Sequence, residues 1–234
     1  MTRELFREDG YMRECLAKVV RVDEEHVVFD RTVFYPLGGG QPGDHGVVVD
    51  AHGRVTPVLD TYTDRDSGDI LHKVESSAGL AEGDQVNLKI DWPRRHRIMR
   101  LHSCMHMLCA VIPAPVTGGS IRDDGSARLD FDLPDPPDKV EVEKALNSLT
   151  TGNHAMSIQW ISDQELEAQP ELVRTMSVQP PTGHGRVRLV KFDDADLQPC
   201  GGTHVANSLE IGPVRIRKIE KKGKMNRRII VELA

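Results

Sequence analysis

The stretch Trp92–Ile112, WPRRHRIMRLHSCMHMLCAVI, constrains the fold of this chain more than any other. Asp91 can cap its start, Pro93 suits a first helical turn and Pro113 ends it. Between those stops Ile98, Leu101, Met105, Leu108 and Ile112 recur at steps of three and four, which predicts a helix with one buried stripe. His102 and His106 then share a face, and two imidazoles at that spacing can grip one metal ion. Ser103 stands where an H-E-x-x-H peptidase carries its glutamate base, so the zinc-protease motif is absent.

A histidine pair at this spacing also arises by chance, and alone it is weak. A second motif far downstream strengthens it: Gln198-Pro199-Cys200-Gly201-Gly202-Thr203-His204. Cys200 and His204 sit four apart in a loop whose glycines leave both side chains room to turn inward. Together the four residues make a tetrahedral nitrogen and sulfur set that suits one Zn2+ per chain. The chain has only four cysteines, which is no disulfide framework. Cys15 and Cys109 read as small buried or half-buried thiols, and Cys104, two residues from each histidine, lies on another side of the helix.

Before the helix, short alternating runs are broken by turns. Leu16 to Val22 and His26 to Phe29 flank an Asp23-Glu24-Glu25 turn, and Val47 to Val49, Val55 to Leu59, Ile70 to Val74 and Gln85 to Ile90 follow. Strands this short and closely spaced predict a small antiparallel barrel. After the helix, Val116 to Ile121 and Ala127 to Asp132 predict a hairpin. Asp138 caps a helix through Leu149, Ile158 to Ile161 reads as a strand, and Ser162-Asp163-Gln164-Glu165 has capping-box spacing. Arg186 to Phe192, Ile211 to Ile219 and Arg228 to Leu233 complete the strands. Strands and helices mixed without βαβ alternation predict an α+β fold. We expect domains at 1–90 and 91–234.

The net charge of −6 argues against indiscriminate nucleic-acid binding, but its distribution does not. Arg94, Arg95, Arg97 and Arg100 crowd the start of the central helix. Lys221, Lys222 and Lys224, with the flanking arginines, crowd the C-terminus. Two clusters of one sign on an acidic chain predict a focused phosphate-binding surface. Aromatics make up 4% of the residues, too few for a broad base-stacking platform. No apolar run is long enough to cross a bilayer and the first residues do not form a signal peptide, so the expected address is the cytoplasm. Gly38, Gly39, Gly40 and Gln41 lie in a glycine-rich segment, Phe34 to Gly46. It fits neither a P-loop nor a dinucleotide fingerprint. It is either a long hairpin loop or a loop whose amides face a substrate backbone.

The glycine segment, His102-x-x-x-His106, Arg128-Leu129-Asp130-Phe131 and Cys200-Gly201-Gly202-Thr203-His204 occur together in an order that resembles the AlaX family. These are freestanding relatives of the alanyl-tRNA synthetase editing domain, and the glycine motif points to the medium-length class. The resemblance spans most of the chain. It implies a translation-factor-like β-barrel followed by an editing domain of the threonyl- and alanyl-tRNA synthetase type. It further implies a zinc on His102, His106, Cys200 and His204, and hydrolysis in trans of mischarged tRNA(Ala), chiefly the seryl form. The expected partner is the acceptor end of tRNA(Ala), with no membrane and no obligate protein partner.

Serine must be accepted and alanine refused, which a site that hydrogen-bonds the serine hydroxyl can do. Thr117 is the candidate for that contact, and Gly202 and Thr203 are further candidate substrate contacts. No residue is marked by its spacing as a general base. Three rival readings share parts of this pattern. They are an RNA-binding module whose zinc only staples the fold, a zinc hydrolase of small molecules or peptides, and an editor of a different mischarged tRNA.

Overall fold

The computed structural model describes residues 2–176 and 185–234, and the chain divides into two compact units, one ending at Arg97 and one beginning at Ile98. The first unit holds β1 (Arg3–Glu4), β2 (Glu14–Val22), β3 (His26–Phe29), β4 (Arg31–Thr32), β5 (Gly46–Val49), β6 (Val55–Thr63), β7 (Ile70–Val74) and β8 (Gln85–Ile90). Six of these close a barrel in the order β2-β3-β7-β6-β5-β8, and β1 pairs with β4 beside it. Alternation along each strand sends Ala17, Val19, Val27, Phe29, Val48, Val58, Val86 and Leu88 into one core. Closure leaves the barrel strands no unpaired edge.

The glycine-rich segment is part of this architecture. Gly38 and Gln41 exchange backbone hydrogen bonds at 3.0 and 2.9 Å around Gly39 and Gly40, whose φ values are 57° and 79°. Two successive positive φ angles make a tight turn that L-residues with side chains rarely adopt. The segment therefore holds a tight turn at 38–41. Its tip, Gly39, is exposed, whereas Gln41 is fully buried.

Arg95 also departs from expectation. Its side chain is wholly buried. Its guanidinium makes a bidentate pair with Asp44 and donates to Val33 O at 2.7 Å and Gly10 O at 3.1 Å. Asp44 in turn accepts from Tyr35 N at 2.6 Å. Arg95 therefore anchors the barrel unit and is not available to RNA phosphates. The sequence offered no way to separate it from Arg97, which is exposed. Removing one partner of such a pair leaves a buried charge and costs about 3–5 kcal/mol.

The helix α1 (Trp92–Val111) begins as predicted, with Arg94 N donating to Asp91 Oδ1 at 3.1 Å. It does not have the single buried stripe expected. From Ile98 to Cys109 every residue but Arg100 is buried, so both polar and apolar sides are enclosed. The second unit surrounds it with β9 (Val116–Ile121), β10 (Ser126–Asp132), α2 (Lys139–Thr150), β11 (Met156–Ile161), α3 (Asp163–Glu167), β12 (Val187–Phe192), β13 (Asp196–Pro199), β14 (Val214–Lys221) and β15 (Asn226–Leu233). These form antiparallel sheets in the orders β14-β15-β10-β9 and β11-β12-β13. The expected caps are present: Asp138 accepts from Val140 N and Glu141 N, and Ser162 with Glu165 forms a capping box. Helix α2 covers the edge of β14, where Asn147 bonds both to Val214 N and to Val214 O, and Glu143 accepts from Ile216 N. The α+β class and the barrel agree with the sequence reading. No helix among the described residues is long and apolar enough to cross a membrane.

His72, on β7, is fully buried between Phe29 and Phe34. Its Nδ1 donates to Val27 O at 3.1 Å and its Nε2 accepts from the Thr32 hydroxyl at 2.7 Å, which satisfies the neutral ring. Burial pushes its pKa down to about 4. The unfolded chain, with an ordinary histidine near 6.5, therefore binds the proton more tightly. Stability from this group is complete above about pH 6.5 and falls as pH drops toward 4, by on the order of 3 kcal/mol in all. The Tm of His72→Gln, followed from pH 7 to 4.5, is expected to fall less steeply than that of the wild type. Parallel profiles would show that His72 does not contribute to the acid sensitivity of the fold.

Candidate metal centre

Two elements remote in sequence build this site. His102 and His106 project from one side of α1, and Cys200 and His204 flank the loop that follows β13. The donor atoms of the four residues lie within 4.8 Å of one another. His106 Nε2 and His204 Nε2 are 3.0 Å apart, and His102 Nε2 is 3.4 Å from Cys200 Sγ. Ligands on one tetrahedral zinc are separated by about 3.3 Å for two nitrogens and about 3.5 Å for nitrogen and sulfur, given bonds of about 2.0 and 2.3 Å. The spacing fits a divalent ion, and the three rings are buried. All four ligands expected from the sequence are thus brought together. Cys104 faces elsewhere, and burial pushes its thiol up to about 12.

The protonation chemistry of the set also suits a metal. Burial opposes ionisation of Cys200, yet the neighbouring His102 and His204 hold its thiol well below the usual range. Burial drives His204 well below an ordinary histidine. Burial works the same way on His106, but Asp196 and Cys200 outweigh it and lift that ring to about 9. Metal binding at such a set is accompanied by loss of the protons its donors carry.

The loop is held where the ligands need it. Arg188 Nη1 donates to Cys200 O at 2.8 Å and to Gly202 O at 3.1 Å, and Cys200 N donates back to Arg188 O at 3.1 Å. Val205 N donates to Ser103 Oγ at 3.1 Å. The serine that occupies the peptidase glutamate position therefore ties the ligand loop to the ligand helix.

Behind His106, Asp196 Oδ2 accepts from Nδ1 at 2.8 Å and from Gln198 Nε2 at 2.9 Å, and Arg174 approaches Oδ1 at 3.6 Å. A carboxylate on the far nitrogen fixes the tautomer that presents Nε2 to a metal. The sequence assigns no role to Asp196 or Gln198, because the short strand β13 carries no periodic signal of its own. The one mark is the spacing of Asp196, Gln198 and Cys200, alternate positions that share one face of a strand.

The remaining candidates lie elsewhere. Thr117, on β9, is half-buried and donates to Asp130 O at 3.2 Å. Asp130, from the Arg128-Leu129-Asp130-Phe131 motif, binds Arg128 at 2.7 Å and Arg228 at 2.8 Å. Burial raises its carboxyl, but these guanidinium groups hold it below its usual range. Gly202 lies between the ligands Cys200 and His204, and Thr203 beside it is buried. Lys221, Lys222 and Lys224 are exposed around the turn joining β14 to β15, with Lys222 paired to Glu220 at 2.9 Å. Arg94, Arg97 and the Gly38–Gln41 turn belong to the barrel unit, where Arg94 donates to Gly43 O at 2.7 Å.

Comparison with known proteins bears on this arrangement. Residues 187–230 match the family described as threonyl and alanyl tRNA synthetase second additional domain, and residues 8–94 match tRNA synthetases class II (A). The chain is 37% identical to the alanyl-tRNA editing protein AlaX-M of Methanosarcina acetivorans, over 100% of its own length and 99% of the relative's. It is 33% identical to AlaX-M of Saccharolobus solfataricus, over 98% of each. It is 38% identical to the alanine–tRNA ligase of Pyrobaculum arsenaticum, over 94% of this chain but 25% of the ligase.

Asp196→Asn keeps the shape of the side chain but removes the charge behind His106. It is expected to weaken zinc retention about 10- to 100-fold in competition with a chromogenic chelator, with an unchanged circular dichroism spectrum. Equal retention by variant and wild type would show that the carboxylate does not support the ligand.

Proposed function

The chain belongs to the AlaX-M family of alanyl-tRNA editing proteins, and on that premise we propose that it hydrolyses, in trans, the ester of mischarged tRNA(Ala), chiefly Ser-tRNA(Ala). The observation that carries this reading is the convergence of three imidazoles and one thiolate beside the Gly201-Gly202 loop. We assign one zinc per chain to His102, His106, Cys200 and His204. A zinc held there supplies Lewis acidity toward an ester carbonyl. Around it the protein's own groups orient and select. The aminoacyl ester is already activated, so positioning against fixed dipoles is sufficient for much of the acceleration.

Thr117 is our candidate for reading the serine side chain. A hydroxyl that donates to a backbone carbonyl, as Thr117 does to Asp130 O, turns its oxygen toward a second hydroxyl as an acceptor. Alanine would leave that polar group without its partner, which disfavours it. Gly202 and Thr203, between two ligands, are assigned to the aminoacyl end. Gly38, Gly39 and Gly40 remain proposed contacts to the tRNA. Arg97, Lys221, Lys222 and Lys224 are proposed phosphate contacts, a role consistent with their exposure. Electrostatic binding of this kind weakens steeply with salt. The tRNA(Ala) acceptor end is thus the partner, and the cytoplasm, where aminoacyl-tRNAs are used, is the proposed location. The barrel unit and the metal-bearing unit are proposed as tRNA-engaging and hydrolytic parts.

A second reading has support in the four protein donors, which close a tetrahedral site and suit a purely structural zinc in an RNA-binding module. The two readings differ in one outcome. With catalytic amounts of protein, serine is expected to be released from Ser-tRNA(Ala) at least about 100-fold faster than alanine from Ala-tRNA(Ala), the order set by an unpaired buried polar group. Binding with the seryl ester left intact would favour the structural reading. Faster cleavage of Ser-tRNA(Thr) would assign the editor to another tRNA.

A further inference from the structure

The sheet β11-β12-β13 has two faces with different surroundings. Strand register places Met156 opposite Phe192 and Asp196, and Ile158 opposite Val190 and Gln198. The next row is Trp160, Arg188 and Cys200, the last joined by its N–H to Arg188 O. Residues directly opposite each other point to the same side of a sheet. This side carries Asp196 and Gln198 toward His106, and Phe192 lies 6.2 Å from the His106 ring and 6.3 Å from that of His204. The other side packs Val187, Leu189, Ile161 and Leu197 against Leu166 and Leu172. Trp160 therefore stands on the metal-facing side, in the same row as a metal ligand.

Its position along that row is the informative part. Strand β11 is an edge strand of its sheet, at the side away from β13, and Trp160 is 48% exposed. It is the only Phe, Trp or Tyr among the described residues exposed to that degree. Neighbouring strands lie about 4.8 Å apart, so two steps put its backbone about 10 Å from that of Cys200. Arg188 is the register partner of Trp160 and holds Cys200 O and Gly202 O, so the strand position of Trp160 and the ligand loop share one neighbouring residue.

We propose that Trp160 is the stacking platform for the 3′-terminal adenine of the tRNA. The indole on the open edge carries the base, while the aminoacyl group reaches back along the row toward Cys200. This rests on the editing reading. The terminal nucleotides of a tRNA are single-stranded, and a base with nothing stacked beyond it is what an exposed indole accepts. A flat indole recognises a π-face without reading sequence, which suits an end common to all tRNAs. Specificity for the amino acid is left to the metal side of the row. Trp160 is thus a positioning residue, and it should act on substrate binding more than on the chemical step.

The chain has two tryptophans, so Trp92→Phe leaves Trp160 as the only indole reporter. Adding an uncharged acceptor-stem hairpin that ends in CCA to this variant should quench its fluorescence saturably. The same hairpin without the terminal adenosine should bind at least about 5-fold more weakly, the low end of one base stack. In deacylation of Ser-tRNA(Ala), Trp160→Ala should raise KM by on the order of 10-fold with kcat within about twofold, as a loss of about 1–3 kcal/mol of stacking predicts. Trp160→Phe should restore KM and Trp160→Leu should not. Absence of quenching, equal binding of the two hairpins, or full rescue by leucine would overturn the proposal. If the wild type left Ser-tRNA(Ala) intact the editing reading would fall, and the fluorescence titration alone would decide whether the indole stacks on the base.

Discussion

The second unit is organised around a meeting of four metal-ligand donors from two elements remote in sequence. Three imidazoles and a thiolate within 4.8 Å are desolvated, and two ring nitrogens face each other at 3.0 Å. No apolar packing would select that arrangement. It persists because both sides are held rigidly. Helix α1 is enclosed on every side from Ile98 to Cys109, which fixes His102 and His106. The loop is tied by Arg188 to β12 and by Ser103 to the same helix. A metal bound by such a set contributes its binding free energy to folding as well as to chemistry.

Much of this was legible in the sequence, for identifiable reasons. Several barrel strands, β7 and β8 most clearly, alternate buried with more exposed positions, because one face lies in a core and one in solvent, and period two survives in sequence. The four ligands could be found because each pair is local, on a helix or in a glycine loop. What was lost depended on long-range context. Strand β13 is four residues long and ends in Pro199, too short for a periodic signal, so neither Asp196 nor Gln198 is marked by the sequence as a support for His106. Arg95 shares its local sequence with Arg94 and Arg97, and only the fold reveals that Asp44, 51 residues away, has claimed its charge. The stripe on α1 failed because a helix buried all round places His, Ser and Cys inward as well as Leu and Met.

The relation to larger relatives gives the arrangement its meaning. The chain aligns with 25% of an alanine–tRNA ligase but with nearly the whole of freestanding editing proteins. The aligned part covers 94% of this chain, and the chain's two units are the barrel and the metal-bearing unit. Its charge is distributed accordingly. The chain is acidic overall, while exposed lysines gather at the turn joining β14 to β15. Glu220, held near 2 by Lys218 and Lys222, organises part of that turn. A locally basic, globally acidic surface favours one docking orientation for a polyanion over indiscriminate adhesion.

The function proposed for the site depends on the identity of the atoms around one ion. The most direct measurement is X-ray absorption at the zinc edge on protein loaded with one equivalent of metal. We predict a first shell of one sulfur at about 2.3 Å and three nitrogens at about 2.0–2.1 Å, with the outer-shell pattern of imidazole rings. A shell without sulfur, or with only oxygen and a single imidazole, would contradict the meeting of α1 with the Cys200–His204 loop.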